Sequence, residues 1–339
     1  MRIFHISPHF GGGILPSVLG IVEAIEARHT LIQLDQTLNK EIIEKLKFHQ
    51  LIPELLTNDS SLFNSVPDFI IFHFWETEIL NRIKVIKHKQ FRAPIILLHH
   101  QTFDYGSSKL SKIQNNFSAL VQSGFIKDKL QDNWFLVPTC KSFMPSPIEV
   151  PPRTSKVLYI GTLSYKKIDQ NFLNIANKVC DIGFEIDVYG QKNSSSFHSD
   201  LKNINNPKLR YLGFAENSYS LMLKYSYLLY PLRKKHYGTT ENVLLEAMNA
   251  GVIPFINRQN PETFIIGREL AHYLTLGDNF EQNLINIHSN PRLKAKIQES
   301  LMDRALLLTS LPARKSIWGK ILETAKNNVR NINFSNLLT

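Results

Sequence analysis

The sequence predicts an α/β protein built on parallel β-sheets, and two observations support this. Short apolar runs of strand length alternate with longer amphipathic stretches along the 339 residues, which is typical of βα units. The chain is also longer than one small hydrophobic core usually organises, so we expect two domains, each of them a doubly wound unit. Collagen-like and low-complexity chains are excluded because only 15 glycines and 16 prolines occur.

In the first half, strands are predicted where apolar runs reach strand length, at residues 2–6, 31–34, 69–72, 95–98 and 134–137. Helices are predicted at residues 15–28, which place apolar side chains on one face, and at residues 78–91. Five prolines fall within residues 138–152, and such a segment forms neither a helix nor an inner strand. We therefore place a linker at residues 146–153, after an N-terminal domain of residues 1–145.

Beyond this linker the alternation begins again. Strands are predicted at residues 156–160, 184–189, 209–212, 227–230 and 252–256. They define a second domain at residues 154–315, which is followed by a C-terminal segment of residues 316–339.

The net charge of +10 is unevenly distributed. Residues 1–150 carry 15 basic and 14 acidic side chains, whereas residues 151–339 carry 24 and 15. A basic half suits nucleic acid, an anionic membrane surface or a phosphorylated small substrate. Because the sequence contains no RNP-like motif, helix-turn-helix signal or basic arm, no nucleic-acid partner is expected.

Cysteine content and hydropathy bear on the compartment. The two cysteines, Cys140 and Cys180, cannot form a disulfide framework, which favours a reducing compartment. No window approaches about 18 consecutive apolar residues, so neither a spanning helix nor a secretory signal is expected. Both observations favour a cytoplasmic location.

Two glycine-containing loops follow predicted strands. Gly11, Gly12 and Gly13 precede the first helix, where they permit a sharp turn and close approach of a ligand to unpaired helix amides. A plain tight turn is the alternative, and NAD is disfavoured because the loop does not match GxGxxG. The second loop runs from Gly161 to Lys167 and is suited to a phosphate, with a solvated lysine pair as the alternative.

The sharpest pattern lies in residues 230–256, which are predicted to form a strand, a basic loop, an apolar helix and a buried strand. The helix is predicted to begin at Thr239 or Thr240. It contains Glu246 among apolar residues, where a carboxylate requires a partner. Alternatively, Glu246 is a surface residue and Glu241 is a first-turn charge favoured by the helix dipole.

Segments of the sequence resemble motifs of the retaining glycosyltransferases of family 4, which have the GT-B fold. The closest is LLEAMNAGVIPFI at residues 244–256. Other segments follow in the family's order and cover roughly residues 156–330, namely VLYIGTLS with Lys167, Val188–Gly190, Tyr211–Phe214 and Ser316–Trp318. In the first half the resemblance is looser and rests on the glycine-rich loop, on PDFIIFH at residues 67–73 and on ILLHH at residues 96–100.

This resemblance implies an α/β chain with the GT-B fold, in which two doubly wound Rossmann-like domains face each other across a cleft. The C-terminal helix at residues 316–339 would cross back to the first domain. The implied activity is that of a hexosyltransferase-like enzyme that moves a sugar from a nucleotide-sugar donor, linked to UDP or GDP, to a glycan or lipid-linked saccharide acceptor. Retention of configuration and a role in surface polysaccharide or glycoconjugate synthesis are implied as well. The sequence contains no Asp-x-Asp and no paired-histidine spacing, so we expect no metal ion and no further cofactor.

The resemblance also implies functional residues. Catalytic roles fall to His99, His100 and Glu241, while Glu246 would hold the ribose of the nucleotide. The residues implied to bind the donor are Gly12, Gly13, Gly161, Thr162, Lys167, Tyr189, Gly190, Phe214, Arg233, Lys234, His236, Tyr237, Gly238, Thr239, Thr240, Glu241, Asn242, Val243 and Glu246.

Two positions depart from the family pattern. Gly238 stands where the family has the first of two glutamates, and Thr162 stands where it has a phosphate-binding arginine. Glu241 or the loop at residues 236–237 would then contact the donor sugar, and basic residues 233–235 would supply the positive charge. The alternatives are a non-catalytic homologue that acts as a binding or complex subunit, and a sugar-nucleotide epimerase of related fold.

A basic helix face is predicted beside the strand at residues 95–98. It consists of Arg82, Lys84, Lys87, Lys89 and Arg92. This face suits a peripheral contact with the anionic lipid of an inner membrane, and a solvated helix face explains it equally well.

Overall fold

The computed structural model describes residues 1–11, 14–34, 43, 46–47, 51, 53–55, 66–74, 90–91, 93–101, 114–125, 134–140, 142, 154–191, 195–215, 217–258, 261–329 and 332–333. The chain divides into two compact units. Unit 1 comprises Met1–Ser142, Gly238–Thr240 and Ser310–Thr339, and unit 2 comprises Phe143–Tyr237 and Glu241–Thr309. Each unit contains a parallel β-sheet and helices, which confirms the predicted α/β class.

In chain order, the described strands are β1 (Arg2–Ser7), β2 (Arg28–Gln33), β3 (Pro53–Leu55), β4 (Phe69–Phe74), β5 (Gln90–Phe91), β6 (Ile95–His99), β7 (Ala119–Ser123), β8 (Trp134–Val137), β9 (Thr154–Ile160), β10 (Ile186–Tyr189), β11 (Leu209–Tyr211), β12 (Tyr225–Tyr230), β13 (Ile253–Ile256) and β14 (Ile332–Asn333). The described α-helices are α1 (Ile14–Ala24), α2 (Phe172–Asp181), α3 (Ser195–Asn203), α4 (Ser218–Met222), α5 (Asn242–Asn249), α6 (Glu262–Ile266), α7 (Arg268–Leu274), α8 (Phe280–Ser289), α9 (Pro291–Leu308) and α10 (Leu311–Asn327).

Unit 1 is organised around a parallel sheet with the strand order β3-β2-β1-β4-β6-β7-β8. All residues of β4, β6 and β7 are buried, as expected for strands covered on both faces. Trp318, Ile321 and Ala325 of α10 belong to the same core as Ile3 and Ile71. A short antiparallel pair, β5 with β14, lies outside this sheet.

Helix α10 is attached to α1 through a buried arginine. The Arg314 side chain is only 1% exposed, donates to the Gly20 carbonyl oxygen at 2.7 Å and lies 3.1 Å from the Glu23 carboxylate. Gly20 permits the close approach of α1 to the chain at Cys140, because a Cβ atom there would lie 2.2 Å from the Cys140 carbonyl oxygen. The C-terminal helix is therefore part of the packing of unit 1.

Unit 2 has a second parallel sheet with the order β11-β10-β9-β12-β13. Every residue of its strand β12 is buried, and α5 packs against α9. Because all five strands are parallel, their carboxyl ends lie at one edge of the sheet. We call this edge the carboxyl edge of unit 2, and ligands bind at such edges in open α/β sheets.

Three predicted helix boundaries are wrong. The helix predicted at residues 15–28 ends at Ala24, because Arg28 already begins β2 and pairs with β1. Phe91, predicted to end a helix, lies in β5, while the rest of that helix and its basic face at residues 82–92 lie outside the described residues. The helix predicted from Thr239 or Thr240 begins at Asn242.

Strand prediction succeeded where the apolar run is continuous. Every predicted strand is present, with bounds that differ by at most three residues. Strand β7 was missed because its sequence, ALVQS, ends in polar residues. Among the described residues, no helix is long and apolar enough to span a bilayer.

Candidate functional site

Most of the predicted binding residues lie at the carboxyl edge of unit 2. Gly161 directly follows β9, Gly190 follows β10, and Phe214 lies beyond the end of β11. Residues 231–237 follow β12, and Glu241 directly precedes α5. Since these four strands are neighbours in the sheet, the sequence-distant segments meet at one edge.

Two glycines let the backbone close tightly at this edge. Gly161 has a φ of +151°, and a Cβ atom on Gly190 would lie 2.1 Å from the Gly161 carbonyl oxygen. Gly161 N donates to the Tyr189 carbonyl oxygen at 3.1 Å. Half-buried Thr162 continues the loop, and its carbonyl oxygen accepts from the Tyr159 hydroxyl.

An ion pair between the half-buried Lys167 and the buried Glu241 joins the β9 loop to the β12 loop. Lys167 Nζ lies 3.2 Å from Glu241 Oε2, and the Tyr230 hydroxyl donates to the same oxygen at 2.7 Å. Burial alone would raise the pKa of Glu241, but Lys167 and His236 together hold it below its usual value. Burial alone would lower the pKa of Lys167, and the Glu241 carboxylate raises it instead. Both groups are therefore charged near neutral pH.

His236 extends this cluster to Glu262. His236 Nε2 lies 2.5 Å from Glu262 Oε1, and its Nδ1 lies 3.5 Å from Glu241 Oε1. Burial opposes protonation of His236, but the hydrogen bond to Glu262 and the charge of Glu241 raise its pKa. Burial raises the pKa of Glu262, which is fully inaccessible.

The same cluster has the donor set of a divalent cation site. His236, Glu241 and Glu262 each offer one ligand atom, and these atoms lie within 4.8 Å of one another. An imidazole with two carboxylates fits a transition metal or zinc ion. The ammonium group of Lys167 already lies beside Glu241, so the negative charge of this carboxylate is balanced by a residue of the chain itself.

Glu241 has an unusual backbone conformation. It precedes α5 with φ 44° and ψ 62°, in the left-handed region, and its side chain does not cap the helix. Such a conformation costs a non-glycine residue about 1–3 kcal/mol and persists only where the surroundings fix it. The contacts of the carboxylate with Lys167 and Tyr230 provide that fixation, which explains why α5 begins later than predicted.

Glu246 lies on α5 with a defined partner. It is half-buried, and its Oε2 accepts from the Ser218 hydroxyl at 2.7 Å. Ser218 begins α4, which follows the end of β11. The required partner is thus a serine, and the carboxylate is held at the carboxyl edge.

The remaining predicted residues of unit 2 surround this edge. Arg233, Lys234 and Lys235 are exposed, and Arg233 N donates to the Lys167 carbonyl oxygen at 2.9 Å. Lys167 Nζ lies 5.8 Å from the centre of the Tyr237 ring. Phe214 is 51% exposed. Tyr189, Asn242 and Val243 are half-buried at the end of β10 and in the first turn of α5.

Gly238, Thr239 and Thr240 belong to unit 1 and not to unit 2. The Thr239 hydroxyl donates to the His100 carbonyl oxygen at 3.3 Å, and the Thr240 hydroxyl lies 3.0 Å from that of Ser123. The structure therefore brings Thr239 together with His100, one of the predicted catalytic histidines.

The adjacent histidines His99 and His100 carry their protons on different nitrogens. The Gln122 amide group donates to the Gln101 and Ser123 carbonyl oxygens, so its Oε1 accepts from His99 Nδ1 at 2.9 Å. His100 instead bonds through Nε2 to His73 Nδ1 at 2.9 Å. Burial, together with neighbouring His99, lowers the pKa of His100 to about 3, so this imidazole is neutral.

Several residues of these sites were not predicted. Ser218 and Glu262 carry no local signal in the sequence, since only the fold brings them to Glu246 and His236. His5 lies 2.9 Å from His29 and 3.0 Å from His73, the partner of His100, and both His5 and His29 were detectable as titratable residues in or beside apolar strand segments. Gly12 and Gly13 lie outside the described residues. A cavity of about 330 Å³ lies at the amino end of β9, lined by residues such as Thr154 and Lys156, and so belongs to the opposite edge of the sheet.

Comparison with known proteins identifies the fold. No protein-family model matches the chain, and no curated protein matches it. A point mutant of Staphylococcus aureus TarM in complex with fondaparinux, alpha-GlcNAc-glycerol and UDP is similar, with a TM-score of 0.73, 9% identity and coverage of 95% of this chain and 99% of that chain. Anabaena HepE in complex with UDP and glucose has a TM-score of 0.68 at 15% identity, covering 95% and 99%. A glycosyltransferase from Rickettsia africae has a TM-score of 0.69 at 11% identity, covering 96% and 99%. The chain therefore has the GT-B fold, as the sequence predicted.

Proposed function

We propose that the chain is a glycosyltransferase, which moves a sugar from a nucleoside-diphosphate-sugar donor to a hydroxyl group of a saccharide acceptor. The observation that carries this proposal is the carboxyl edge of unit 2. There a glycine-lined backbone, the Lys167–Glu241 ion pair and the fixed carboxylate of Glu246 converge from separate segments. Solved structures of the same fold, TarM and HepE, hold UDP.

Each group at this edge has a task in donor binding. A carboxylate with a fixed orientation suits the two hydroxyl groups of a ribose, which Glu246 would bind while Ser218 holds it. The exposed ring of Phe214 offers an apolar surface to a nucleobase. Cleavage of the sugar–phosphate bond leaves a diphosphate anion, and Lys167 with basic residues 233–235 would stabilise that charge.

Metal independence belongs to the same proposal. The His236, Glu241 and Glu262 donor set fits a divalent ion, whose chemistry would be charge stabilisation on the leaving diphosphate. Lys167 supplies positive charge at Glu241 without an ion, so we expect activity in the presence of a chelator.

The finer assignments follow from the family resemblance. We propose a UDP- or GDP-linked hexose donor, retention of configuration, and a glycan or lipid-linked acceptor in surface polysaccharide or glycoconjugate synthesis. A cytoplasmic location, with peripheral contact to the inner membrane, belongs to this proposal, and nucleic acid is not a partner. On the acceptor side, His100 follows β6 at the carboxyl end of the sheet of unit 1, where it would orient a hydroxyl group.

A second candidate function is favoured by one contact. Lys167 already pairs with Glu241, and Gly238 occupies a position where the family has a carboxylate. A non-catalytic homologue that binds a nucleotide sugar as part of a complex would retain the binding site at the carboxyl edge of unit 2 but would not transfer the sugar.

The test is nucleotide binding followed by turnover. Thermal shifts and calorimetric titrations with UDP, GDP, ADP and CMP would identify the nucleotide, and its sugar conjugates would then be assayed for transfer. The diagnostic variant is Glu246→Gln, with Glu299→Gln, an exposed glutamate of α9, as its matched control.

We expect one nucleotide class to bind, and we expect Glu246→Gln to weaken it by about tenfold, the loss of one charged hydrogen-bond acceptor. Glu299→Gln should leave the affinity unchanged. Binding without turnover would favour the non-catalytic homologue, and binding of none of the nucleotides would contradict both candidates.

A further inference from the structure

Four histidines of unit 1 form a continuous row of hydrogen bonds. His29 Nδ1 lies 2.9 Å from His5 Nε2, His5 Nδ1 lies 3.0 Å from His73 Nε2, and His73 Nδ1 lies 2.9 Å from His100 Nε2. At the far end, His29 Nε2 lies 2.9 Å from the Ile25 carbonyl oxygen. Every link joins Nε2 of one ring to Nδ1 of the next.

The sheet register produces this row. The histidines belong to the adjacent segments β2, β1, β4 and the end of β6, one from each. Each histidine lies two residues beyond the register partner of the preceding one, and residues two apart point to the same face of a strand. The row therefore runs diagonally across one face of the sheet and ends at its carboxyl edge, at His100.

The Ile25 carbonyl oxygen sets the direction of all four bonds. A carbonyl oxygen only accepts, so His29 Nε2 carries a proton and donates it. At neutral pH His29 is neutral, because burial lowers its pKa, so its Nδ1 carries no proton and accepts from His5 Nε2. By the same argument His5 Nδ1 accepts from His73 Nε2, and His73 Nδ1 accepts from His100 Nε2. All four rings are thus Nε2–H tautomers, and the nitrogen of His100 that lacks a proton is Nδ1.

Burial keeps this row neutral. His5 and His73 are fully buried and His100 is 3% exposed, while His29 is only partly buried. Desolvation lowers the pKa of His5 and His73 well below the usual histidine value. Burial also lowers the pKa of His29, but less strongly, because this ring is only partly buried and the Ile25 carbonyl oxygen favours its charged form. A positive charge is therefore unfavourable throughout the row and least unfavourable at His29.

We propose that the row is a proton relay, in which His100 accepts a proton at Nδ1 and the charge appears at His29. The proton originates, and here the inference rests on the proposed function, from the acceptor hydroxyl group. As the acceptor oxygen bonds to the sugar, its O–H bond breaks and the sugar–phosphate electron pair leaves with the diphosphate. The proton joins His100 Nδ1.

Three internal transfers then move the charge. The Nε2 proton of His100 passes to His73, that of His73 to His5, and that of His5 to His29, each arriving at Nδ1. His29 becomes an imidazolium, and the other three rings remain neutral in the opposite tautomer. After product release the protons return along the same bonds, and the proton taken up at His100 leaves to water. His5, His73 and His29 act through His100, so they are positioning residues.

The first experiment examines the row without any substrate. Long-range ¹H–¹⁵N correlation spectra of the full chain, labelled with ¹⁵N-histidine, report the tautomer of each ring at neutral pH. We expect His5, His29, His73 and His100 all to be Nε2–H tautomers and His99 to be the Nδ1–H tautomer. An Nδ1–H tautomer at His5, His73 or His100 would overturn the relay whether or not the chain transfers sugar.

The second experiment separates proton transfer from structural support. In His5→Gln the amide can accept from His73 and donate to His29, which preserves both hydrogen bonds but conducts no proton. His29→Gln tests the end of the row in the same way and serves if the first variant does not fold. The control is His272→Gln, an exposed histidine of α7.

With the nucleotide sugar identified as above, we expect both row variants to lose about tenfold or more in kcat, since general base catalysis typically contributes ~10²–10⁴-fold. KM for the donor and the Nε2–H tautomer of His100 should remain unchanged. If His5→Gln retains the kcat of the wild-type protein, the row is purely structural and the relay is excluded. If the wild-type protein shows the expected tautomers but transfers no sugar, the proposed function is contradicted and so is the role of the relay in it, whereas the hydrogen-bonded row itself stands.

Discussion

At the residue level, Glu241 is the most constrained side chain of unit 2. Its carboxylate is buried, and it lies 3.2 Å from Lys167 Nζ. We predict that Glu241→Gln lowers the free energy of unfolding by about 1–3 kcal/mol, because it leaves the half-buried ammonium group of Lys167 without its charged partner. Urea unfolding monitored by circular dichroism would measure this loss.

Glu299→Gln provides the matched control for Glu241→Gln, since it makes the same chemical change on an exposed face of α9. Its effect should remain within about 0.5 kcal/mol. Equal stability of the two variants would mean that the Lys167–Glu241 pair contributes nothing in solution.

Gly190 is constrained by space and not by charge. A Cβ atom there would lie 2.1 Å from the Gly161 carbonyl oxygen, so the ends of β9 and β10 must move apart to admit it. We predict that Gly190→Ala destabilises the chain by about 1–3 kcal/mol. It should also weaken nucleotide binding, because the carboxyl edge loses its shape.

Gly277→Ala is the control for Gly190→Ala, because no atom lies within 4 Å of a Cβ placed on Gly277. Thermal unfolding and nucleotide titration of both variants would compare them. A Gly190 variant as stable as the Gly277 variant would contradict the close approach of β9 and β10.

At the level of elements, α10 depends on Arg314 for its contact with α1. The buried guanidinium group donates to the Gly20 carbonyl oxygen and pairs with the half-buried Glu23. Arg314→Met keeps much of the apolar stem but removes the donor to Gly20 and the positive partner of Glu23, which retains the Ser142 backbone N–H at 2.6 Å. We predict a loss of about 1–3 kcal/mol in the free energy of unfolding.

The neighbouring exposed residue supplies the comparison for α10. Lys315→Met alters the same helix without a buried contact and should change stability by less than about 0.5 kcal/mol. Denaturant unfolding followed by tryptophan fluorescence detects both, since Trp318 lies in the same helix. Indistinguishable midpoints for the two variants would show that α10 is held by its apolar face alone.

The elements also explain which parts of the fold could be predicted from the sequence alone. Strands such as β1 and β4 were predictable because local apolar runs determine them. The row of histidines was not, since it depends on the register between strands that are distant in sequence. The start of α5 was misjudged for a related reason, because only the tertiary contacts of Glu241 hold it in the left-handed conformation.

The residues of the candidate site likewise fall into those that a local sequence signal identifies and those that only the tertiary fold brings into place. Glycines at strand ends and Glu246 in an apolar helix are local signals, and the sequence identified them. The partners of these residues, Ser218 for Glu246 and Glu262 for His236, come from elsewhere in the chain. Sequence patterns predict which residues need partners, but not which residues will provide them.

At the level of the whole molecule, the two units contain buried histidines whose pKa values are shifted in opposite directions. In unit 1, burial lowers the pKa of His5, His73 and His100, the last to about 3. In unit 2, the hydrogen bond to Glu262 and the charge of Glu241 outweigh burial and raise the pKa of His236. The two units should therefore respond to pH in opposite directions.

In unit 1 a histidine with a lowered pKa stabilises the fold above about pH 6.5, and this contribution is lost as the pH falls, because only the unfolded chain takes up the proton. Each of the three buried histidines contributes up to about 1.4 kcal/mol per pH unit to that loss. In unit 2, His236 stabilises the fold below about pH 6.5, and its contribution is lost as the pH rises through its raised pKa. The raised pKa of Glu262 acts in the same direction.

The aromatic residues allow the two responses to be measured separately. All three tryptophans, Trp75, Trp134 and Trp318, fall within the ranges of unit 1, whereas ten of the 11 tyrosines fall within unit 2. Lowering the pH from about 8 to about 5 should lower the urea midpoint seen by tryptophan fluorescence and raise the midpoint seen by tyrosine absorbance. Midpoints that shift together would contradict this assignment, because lowered histidine pKa values in unit 1 and a raised histidine pKa in unit 2 give pH dependences of opposite sign.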